Sequence, residues 1–479
     1  MGDARIDEDG VQTASHDPQT PEALVDFMSR EWAQSPAGDV APEPSAQWCA
    51  RRRAALSARF PGEWLVVPTG GEKIRANDAP YRFRSGSDFF WLTGNLEPDG
   101  VLVMEPTGAE GHRSVLYVEP RADRRSPAFF TDRANGELWV GPRRGVLESA
   151  AAHLIDTEPL GGLADHLGRI GDASARIVRG VDARVDPLLD TDPDADQELF
   201  TVLSELRLVK DAHEIEMLEA AVASTVRGFE DIVRALPRSV TERWVEGVFN
   251  LRARVEGNDV GYDPIAAAGA HACILHWRRN DGPVTPGELL LVDAGVESLE
   301  LYTADVTRTL PVSGRFSDAQ REVYELVRRA QQAGVDAVRP GAAFTDPHRA
   351  AMRVIVDGLV DMGILRCTAD EALDPAHQYH RRYTLHSTSH MLGIDVHDCA
   401  QAREEHYRGG PLQPGMVLTV EPGLYFQPDD LTVPERYRGI GVRIEDDVLV
   451  TEDGRRNLSE ALPRAADEVE MWMARLLEP

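Results

Sequence analysis

Four acidic residues in the second half of the chain stand within or directly beside short apolar segments. They are Asp293, Asp305, Glu421 and Glu445. Each segment has the length and the Val, Leu and Ile content of a buried strand. An ionised carboxylate is costly in such a strand unless a cation holds it. Because four of these residues occur in one region, we interpret them as shared ligands of metal ions.

Histidines gather in the same part of the chain. His386, His390 and His397 fall within twelve positions of an apolar segment, and His276 lies upstream of them. Neutral imidazole binds metals, and its ordinary pKa suits proton transfer near neutrality. His386 and His390 are four residues apart, but the segment contains no HExxH motif. A zinc site of the zincin type is therefore excluded.

Strands and helices must hold these side chains in place. Four buried strands are predicted, over 288–293, 305–310, 417–421 and 440–448. The last run alternates, so Arg443 and Glu445 are expected to share one face. Four helices are predicted, over 212–236, 241–256, 317–338 and 347–362, the third opened by a capping box at Ser317. In this part of the chain the helices are segregated from the strands, which indicates an α+β domain. We place this domain at 196–479.

The first part of the chain has a different pattern. Apolar runs at 64–68, 101–104 and 114–118 predict strands, and 146–154 predicts a helix, so 46–195 is expected to form an α/β domain. The acidic segment 190–196 is the predicted boundary. Residues 1–45 carry ten acidic and two basic residues, which predicts a mostly disordered arm with a short helix near 21–32.

Composition excludes several classes of function. The chain has 51 basic and 80 acidic residues and a formal net charge of −29. Binding to nucleic acid or to an anionic membrane needs clustered positive charge, so neither is expected. There is no apolar run long enough to span a membrane and no apolar signal segment near the N-terminus. Four scattered cysteines favour a reducing compartment, and we expect a cytoplasmic protein.

Lysine is scarce in this sequence. Lys73 and Lys210 are lysines, and the other 49 basic residues are arginine. We interpret this bias as codon usage in a GC-rich genome and draw no function from it.

The segments around the acids and histidines resemble the pita-bread metallopeptidases, most closely the aminopeptidase P group. The matching motifs are LVDAG (291–295), ADVTRT (304–309), SHMLG (389–393), DVHD (395–398), VEPGLY (420–425) and GVRIEDD (441–447). In the first domain, RFR (82–84) and DFFWLTG (88–94) resemble the same group. Two positions depart from the pattern: eleven residues separate Asp293 from Asp305, one more than usual, and Ser387 stands where glycine is usual.

The resemblance implies a site with two divalent metal ions. The implied ligands are Asp293, Asp305, His390, Glu421 and Glu445. The charges agree, since four carboxylates balance two divalent cations. A ligand set dominated by oxygen favours manganese over zinc, with cobalt as the alternative.

The resemblance also implies roles for the remaining side chains. Glu421 would move the proton, His276 and His397 would bind the substrate carbonyls, and His386 would flank the proline. Arg443 and Tyr425 would orient Asp293, and Asp305 would receive the substrate amine. Asp88 and Trp139 resemble residues that approach a neighbouring subunit's active site, although Trp139 is equally explained as a core aromatic.

The expected activity is that of an aminopeptidase that removes the first residue of peptides with proline in second position. Two alternatives stay open: a prolidase acting on Xaa-Pro dipeptides, and a non-catalytic pita-bread scaffold. The expected partners are proline-containing peptides and further copies of the chain, in a dimer or tetramer.

Overall fold

The computed structural model describes residues 20–33, 40–77, 79–108 and 111–478. The chain forms two compact units, Met1–Leu206 and Arg207–Pro479. Most of the predicted disordered arm lies outside the described residues. The part of the arm that is described contains helix α1, Glu22–Met28, where the sequence predicts a short helix.

The first unit is an α/β unit. Its further helices are α2 Ala46–Ser57, α3 Ser87–Thr93, α4 Ala128–Thr131, α5 Glu137–Val140, α6 Val146–His153, α7 Leu163–Leu167 and α8 Pro193–Arg207. Its strands are β1 Trp64–Pro68, β2 Ile74–Ala76, β3 Ala79–Pro80, β4 Val101–Pro106, β5 His112–Val118, β6 Asp156–Pro159 and β7 Ala175–Ile177. Five strands form a sheet in the order β6-β5-β4-β1-β7. All residues of β1 are buried, as its unbroken apolar run predicts.

Helix α8 lies where the sequence predicts a boundary. Asp194 and Asp196 lie in its first turn, where carboxylates interact favourably with the positive end of the helix dipole. The acidic segment therefore begins a helix, and a boundary after residue 195 falls inside it. The two compact units divide between Leu206 and Arg207, near the end of α8.

The second unit combines long helices with short sheets. Its helices are α9 Ala212–Ala235, α10 Glu242–Glu256, α11 Asp318–Ala337, α12 Asp346–Asp361, α13 Ala369–Leu373 and α14 Ala466–Leu477. Its strands are β8 Asp259–Val260, β9 Ile265–Ala268, β10 Leu289–Ala294, β11 Val296–Glu297, β12 Val306–Pro311, β13 Val417–Val420, β14 Gly423–Tyr425, β15 Gly441–Arg443, β16 Asp446–Thr451 and β17 Gly454–Asn457. The four predicted helices correspond to α9–α12, and the unit has the predicted α+β character.

The apolar faces of the helices build one core with the strands. Val323 and Val327 of α11 and Ile355 and Leu359 of α12 are fully buried in it. Helix α11 begins at a polar cap: the Ser317 hydroxyl accepts from the Gln320 amide at 3.3 Å, which forms the predicted capping box. This core holds the strands that carry the acidic residues.

Strand pairing brings distant acids to one place. In the sheet β12-β10-β9, Asp293 of β10 is opposite Thr307 of β12. In a second sheet, Val420 of β13 is opposite Asp446 of β16. Since Glu421 and Glu445 directly adjoin these paired positions, the register sets the two glutamates side by side.

The predicted single strand 440–448 is wrong. The chain forms two strands there, β15 and β16, which pair with different partners, β14 and β13. Ile444 and Glu445 form the break between them. Both strands are buried on both faces, so alternation of residue types along the sequence does not report a solvent face.

Among residues 20–33, 40–77, 79–108 and 111–478, no helix is both long and apolar enough to cross a membrane.

Candidate metal centre and cavity

A β-hairpin sets Asp293 and Asp305 beside each other. Asp293 lies near the end of β10, and Asp305 directly precedes β12. The two strands approach so closely at Gly295 that a Cβ there would lie 1.6 Å from the carbonyl oxygen of Ala304. Only glycine allows this approach. In the segment between the two aspartates, Leu301 has a left-handed φ of 65°.

Hydrogen bonds to two other segments hold the two glutamates in place. Glu445 is 1% exposed, and its Oε2 accepts a hydrogen bond of 2.6 Å from the Thr307 hydroxyl. The Glu445 amide also donates to the Thr307 carbonyl oxygen at 3.1 Å. The Glu421 amide donates to the carbonyl oxygen of Thr388 at 2.8 Å, which ties the glutamate to the histidine segment.

His390 points its Nε2 atom at two of the carboxylates. Nε2 lies 3.2 Å from Asp305 Oδ2 and 3.6 Å from Glu421 Oε1. Nδ1 lies 3.1 Å from the Met391 carbonyl oxygen, which can only accept, so Nδ1 donates. A histidine that donates through Nδ1 to a carbonyl can bind a metal ion through Nε2 once that nitrogen has lost its proton, as metal-binding histidines do.

The buried carboxylates of the cluster lie close enough together to bind cations. Ligand atoms of Asp305, His390 and Glu445 all lie within 4.8 Å of one another. Burial raises the pKa of Glu421 to about 8 and that of Glu445 well above its usual value, and neighbouring carboxylates add to the rise in both. Burial lowers the pKa of His390, but its contacts with Asp305 and Glu421 outweigh burial and raise it to about 9. Oxygen donors with one imidazole are a set that divalent cations such as Mn²⁺ accept. The residues present therefore fit a metal centre.

A chain of polar contacts runs from Asp293 to Glu421. Arg443 Nη2 lies 2.5 Å from Asp293 Oδ2, and Nη1 donates to the Tyr425 hydroxyl oxygen at 3.0 Å. The Tyr425 hydroxyl lies 2.7 Å from His386 Nε2, and His386 Nδ1 lies 3.5 Å from Glu421 Oε2. Burial, helped by Arg443, lowers the pKa of His386 to about 4. His386 is therefore neutral near pH 7, and its Nε2 accepts from Tyr425.

The cluster opens into a cavity of about 700 Å³. His276, His386 and His397 line its wall, together with the predicted metal ligands. The rings of His390 and His397 meet edge to face with their centroids 4.4 Å apart. Burial and the nearby His390 lower the pKa of His397. Ser387 also lines the cavity, so its side chain adds polar surface there.

Two predicted residues belong to the first unit. Asp88 is buried on α3, and Trp139 on α5 is 50% exposed. The indole nitrogen of Trp139 donates to the Phe130 carbonyl oxygen at 2.8 Å. Half exposure does not fit an ordinary core aromatic, and the role of both residues toward a neighbouring subunit stays a prediction.

Sequence reasoning missed Tyr262. Its hydroxyl lies 2.6 Å from Asp293 Oδ1 and 2.5 Å from Asp305 Oδ1. A single tyrosine before β9 carries no pattern that marks it. Thr307 was also missed, although it is two positions after Asp305 in a strand and so shares its face.

Comparisons with known proteins identify the family of this chain. Residues 216–452 match the family model "Metallopeptidase family M24", and residues 49–178 match "Aminopeptidase P, N-terminal domain". The chain is 55% identical to Xaa-Pro aminopeptidase 1 of Streptomyces coelicolor over 464 residues, 96% of this chain and 93% of that protein. It is 34% identical to the Xaa-Pro aminopeptidase of Escherichia coli over 90% of this chain and 98% of that protein.

Solved structures agree as well. An Escherichia coli aminopeptidase P variant in complex with substrate superposes with a TM-score of 0.81 at 32% identity, over 91% of this chain and 99% of that chain. The aminopeptidase PepP of Pseudomonas aeruginosa gives a TM-score of 0.78 at 34% identity, over 91% of this chain and 99% of that chain. The fold is thus the pita-bread fold with the N-terminal domain of this group. From its two domains, its carboxylate cluster and these relatives, the chain belongs to the aminopeptidase P family of M24 metallopeptidases.

Proposed function

We propose that this protein is an Xaa-Pro aminopeptidase, which releases the first residue from peptides that have proline in second position. The observation that carries the proposal is the cluster of Asp293, Asp305, His390, Glu421 and Glu445 at the base of a cavity of about 700 Å³. That volume is large enough for a short peptide. Relatives that cover nearly the whole chain are named Xaa-Pro aminopeptidases, which favours this activity over that of a prolidase or a scaffold.

The five clustered residues would hold two divalent cations, for which we propose Mn²⁺, with Co²⁺ as the alternative. Bound divalent ions lower the pKa of water and polarise a carbonyl, which is the chemistry needed to hydrolyse a peptide bond. With both cations bound, the positive charges would balance the four carboxylates, and the cluster would have no net charge.

Glu421 is the residue placed to move a proton. One of its carboxylate oxygens faces His390 at 3.6 Å and the other faces His386 at 3.5 Å, so it lies between the metal ligands and the cavity wall. A carboxylate placed between the ligand cluster and the cavity can accept a proton from water and return it to a leaving group. We therefore assign to Glu421 the proton transfer from water to the leaving amine.

The cavity wall supplies the contacts to substrate. His276 and His397 would donate hydrogen bonds to carbonyl oxygens and to the negative charge that develops on them. His386 would flank the proline ring, and Asp305 would receive the free amine. Arg443 and Tyr425 would hold Asp293 and His386 in place through the polar contacts described above.

Proline in second position explains why a dedicated site is needed. Its tertiary amide has no N–H and its φ is fixed, so a site that recognises an extended backbone through that N–H fits it poorly. Oligomerisation through the first unit, with Asp88 and Trp139 near a neighbour's cavity, and a cytoplasmic location are part of the proposal.

The test compares a Gly-Pro dipeptide with a matched Gly-Pro-Xaa tripeptide on manganese-loaded protein. We expect hydrolysis of the tripeptide at its first bond. Hydrolysis of the dipeptide alone would make the protein a prolidase. If neither peptide is cleaved while a purified aminopeptidase P cleaves the tripeptide under the same conditions, the proposal fails.

A further inference from the structure

A buried ion cluster lies behind the segment that carries His390 and His397. The carboxylate of Asp398 is 1% exposed, and its Oδ2 lies 3.1 Å from Lys210 Nζ. Its Oδ1 lies 3.3 Å from Nη2 of Arg207, whose side chain is 6% exposed. Lys210 and Arg207 precede α9, whereas Asp398 directly follows His397, so the cluster joins two distant parts of the second unit.

Gly393 packs closely against the ion pair of Lys210 and Asp398. The Lys210 side chain is fully buried, and a Cβ on Gly393 would lie 3.0 Å from its Cε and 2.1 Å from Asp398 Oδ2. A side chain at position 393 would therefore displace the Asp398 carboxylate. Burial lowers the pKa of Lys210, but Cys399 and Asp398 raise it above its ordinary value, so the ammonium stays charged.

Residues 391–398 form a loop that backbone hydrogen bonds close. The Asp398 amide donates to the Met391 carbonyl oxygen at 3.0 Å, which joins the two ends. The Gly393 carbonyl oxygen accepts from the Thr303 amide at 3.0 Å. Cys399 has a left-handed φ of 61°, a conformation that an L-residue keeps only when its surroundings impose it. This closure sets the His390 and His397 rings 4.4 Å apart.

Stability alone does not account for the cluster. Three buried charges lose their hydration, and replacing buried ion pairs with apolar groups is often neutral or stabilising. The acids that pair with Arg207 also differ in burial: the Asp398 carboxylate is 1% exposed, whereas Asp395, 3.7 Å from Arg207, is 40% exposed. A fixed geometry is what such a cluster provides, because each ion is held in place by its partners.

We propose that Asp398, held by Lys210 and Arg207, is a positioning residue that fixes His397 against the cavity. This inference rests on the proposed function, in which His397 binds a substrate carbonyl. A hydrogen-bond donor to a reacting carbonyl must be held to a fraction of an ångström, and a shift of about 1 Å costs on the order of 100-fold in rate. Asp398 directly follows His397 in sequence. The ion pairs that hold Asp398 therefore also restrict the backbone position of His397.

The test uses Asp398→Asn, the double variant Lys210→Met/Asp398→Asn, and Leu359→Ala. The double variant has the same formal charge in the cluster as the wild type, so its melting temperature should return toward the wild-type value. Leu359 is fully buried on α12, and its truncation lowers the melting temperature without touching the loop. All proteins are compared as manganese-loaded enzymes on one Xaa-Pro-Xaa peptide, and the wild type first establishes that the peptide is cleaved.

We expect kcat to fall about 10- to 100-fold in both Asp398 variants, with KM changed less than about threefold. Amide hydrogen exchange over residues 391–399 should accelerate in the manganese-loaded and metal-free forms of both variants. Leu359→Ala should keep the wild-type kcat. If Asp398→Asn does not fold, Gly393→Ala, which displaces the carboxylate without changing charge, should give the same fall in kcat.

Two results would overturn the inference. One is a double variant that recovers wild-type kcat together with its melting temperature, since the cluster would then serve stability alone. The other is unchanged exchange over residues 391–399 in Asp398→Asn. A wild type that fails to cleave the peptide is a different result, which counts against the proposed function.

Discussion

The guanidinium of Arg443 joins Asp293 to Tyr425. Its Nη2 lies 2.5 Å from the Asp293 carboxylate and its Nη1 donates to the Tyr425 hydroxyl at 3.0 Å, while Nε donates to the Thr307 hydroxyl at 3.2 Å. The side chain is 4% exposed. Three contacts in fixed directions are a pattern that the planar guanidinium supplies and an ammonium does not.

Arg443→Lys is therefore expected to weaken metal binding. Lysine keeps the charge but loses the fork that orients Asp293, and loss of such outer contacts costs about 10- to 100-fold in metal affinity. Titration calorimetry with Mn²⁺ on chelated protein measures the change. Arg382→Lys is the matched control, because Arg382 pairs with an aspartate too, Asp430, but is largely exposed. Equal manganese affinity in Arg443→Lys and the wild type would contradict the assigned role.

Glu421→Gln is expected to remove nearly all turnover and keep the fold. The amide has the shape of the carboxylate but cannot accept and return a proton, and loss of a general base or acid costs about 100- to 10,000-fold. Steady-state rates on an Xaa-Pro-Xaa peptide and the circular dichroism spectrum test both parts. Glu435→Gln, a change at an exposed position, should retain the wild-type rate. Turnover in Glu421→Gln that matches the wild type would show that another group moves the proton.

The sequence predicts the acids of this site better than their neighbours. Asp293 and Glu421 were recognisable because a carboxylate in an apolar run is costly without a cation. Tyr262 was not, because its contacts to both aspartates depend on how β9 and β10 pair, which no single residue type records. The break at Ile444 was missed because both faces of the region are buried, so the alternation carried no information about where a strand ends.

The domain boundary shows a similar limit. Asp194 and Asp196 were interpreted as part of a domain boundary, but acids are also favoured in the first turn of a helix. Asp196 accepts from the Ile177 amide at 2.8 Å and from Arg179 Nε at 2.9 Å, contacts that fix it within the first unit. Composition alone cannot separate an acidic linker from an acidic helix start.

The metal-free protein should become less stable as pH rises. In the metal-free protein the pKa of Glu421 is raised from 4.5 to about 8, mainly by burial, and that of Glu445 is raised in the same direction. A raised pKa contributes stability that is fully present below about pH 4.5 and is lost as pH rises through about 8. His390, raised from 6.5 to about 9, acts in the same direction.

Melting temperatures of chelated and manganese-loaded protein, measured from pH 5 to pH 9, test this linkage. The metal neutralises the carboxylates, so the difference between the two forms should widen with pH. Glu421→Gln lacks one of the titrating groups, and its metal-free form should lose less stability over the same range. A difference that stays constant or narrows toward pH 9 would mean that the carboxylates are not the groups that titrate.

Tyr262→Phe removes the hydroxyl that lies between Asp293 and Asp305. Burial raises the pKa of Tyr262 well above its usual value, so the hydroxyl keeps its proton and donates it to one of these carboxylates. Without that donor the two carboxylates lose a shared partner, and we expect metal affinity or kcat to fall about tenfold. Calorimetry with Mn²⁺ and steady-state kinetics separate the two effects. Tyr379→Phe, a 45% exposed tyrosine, is the control. If Tyr262→Phe matches the wild type in both measurements, the hydroxyl serves neither the ligands nor the reaction.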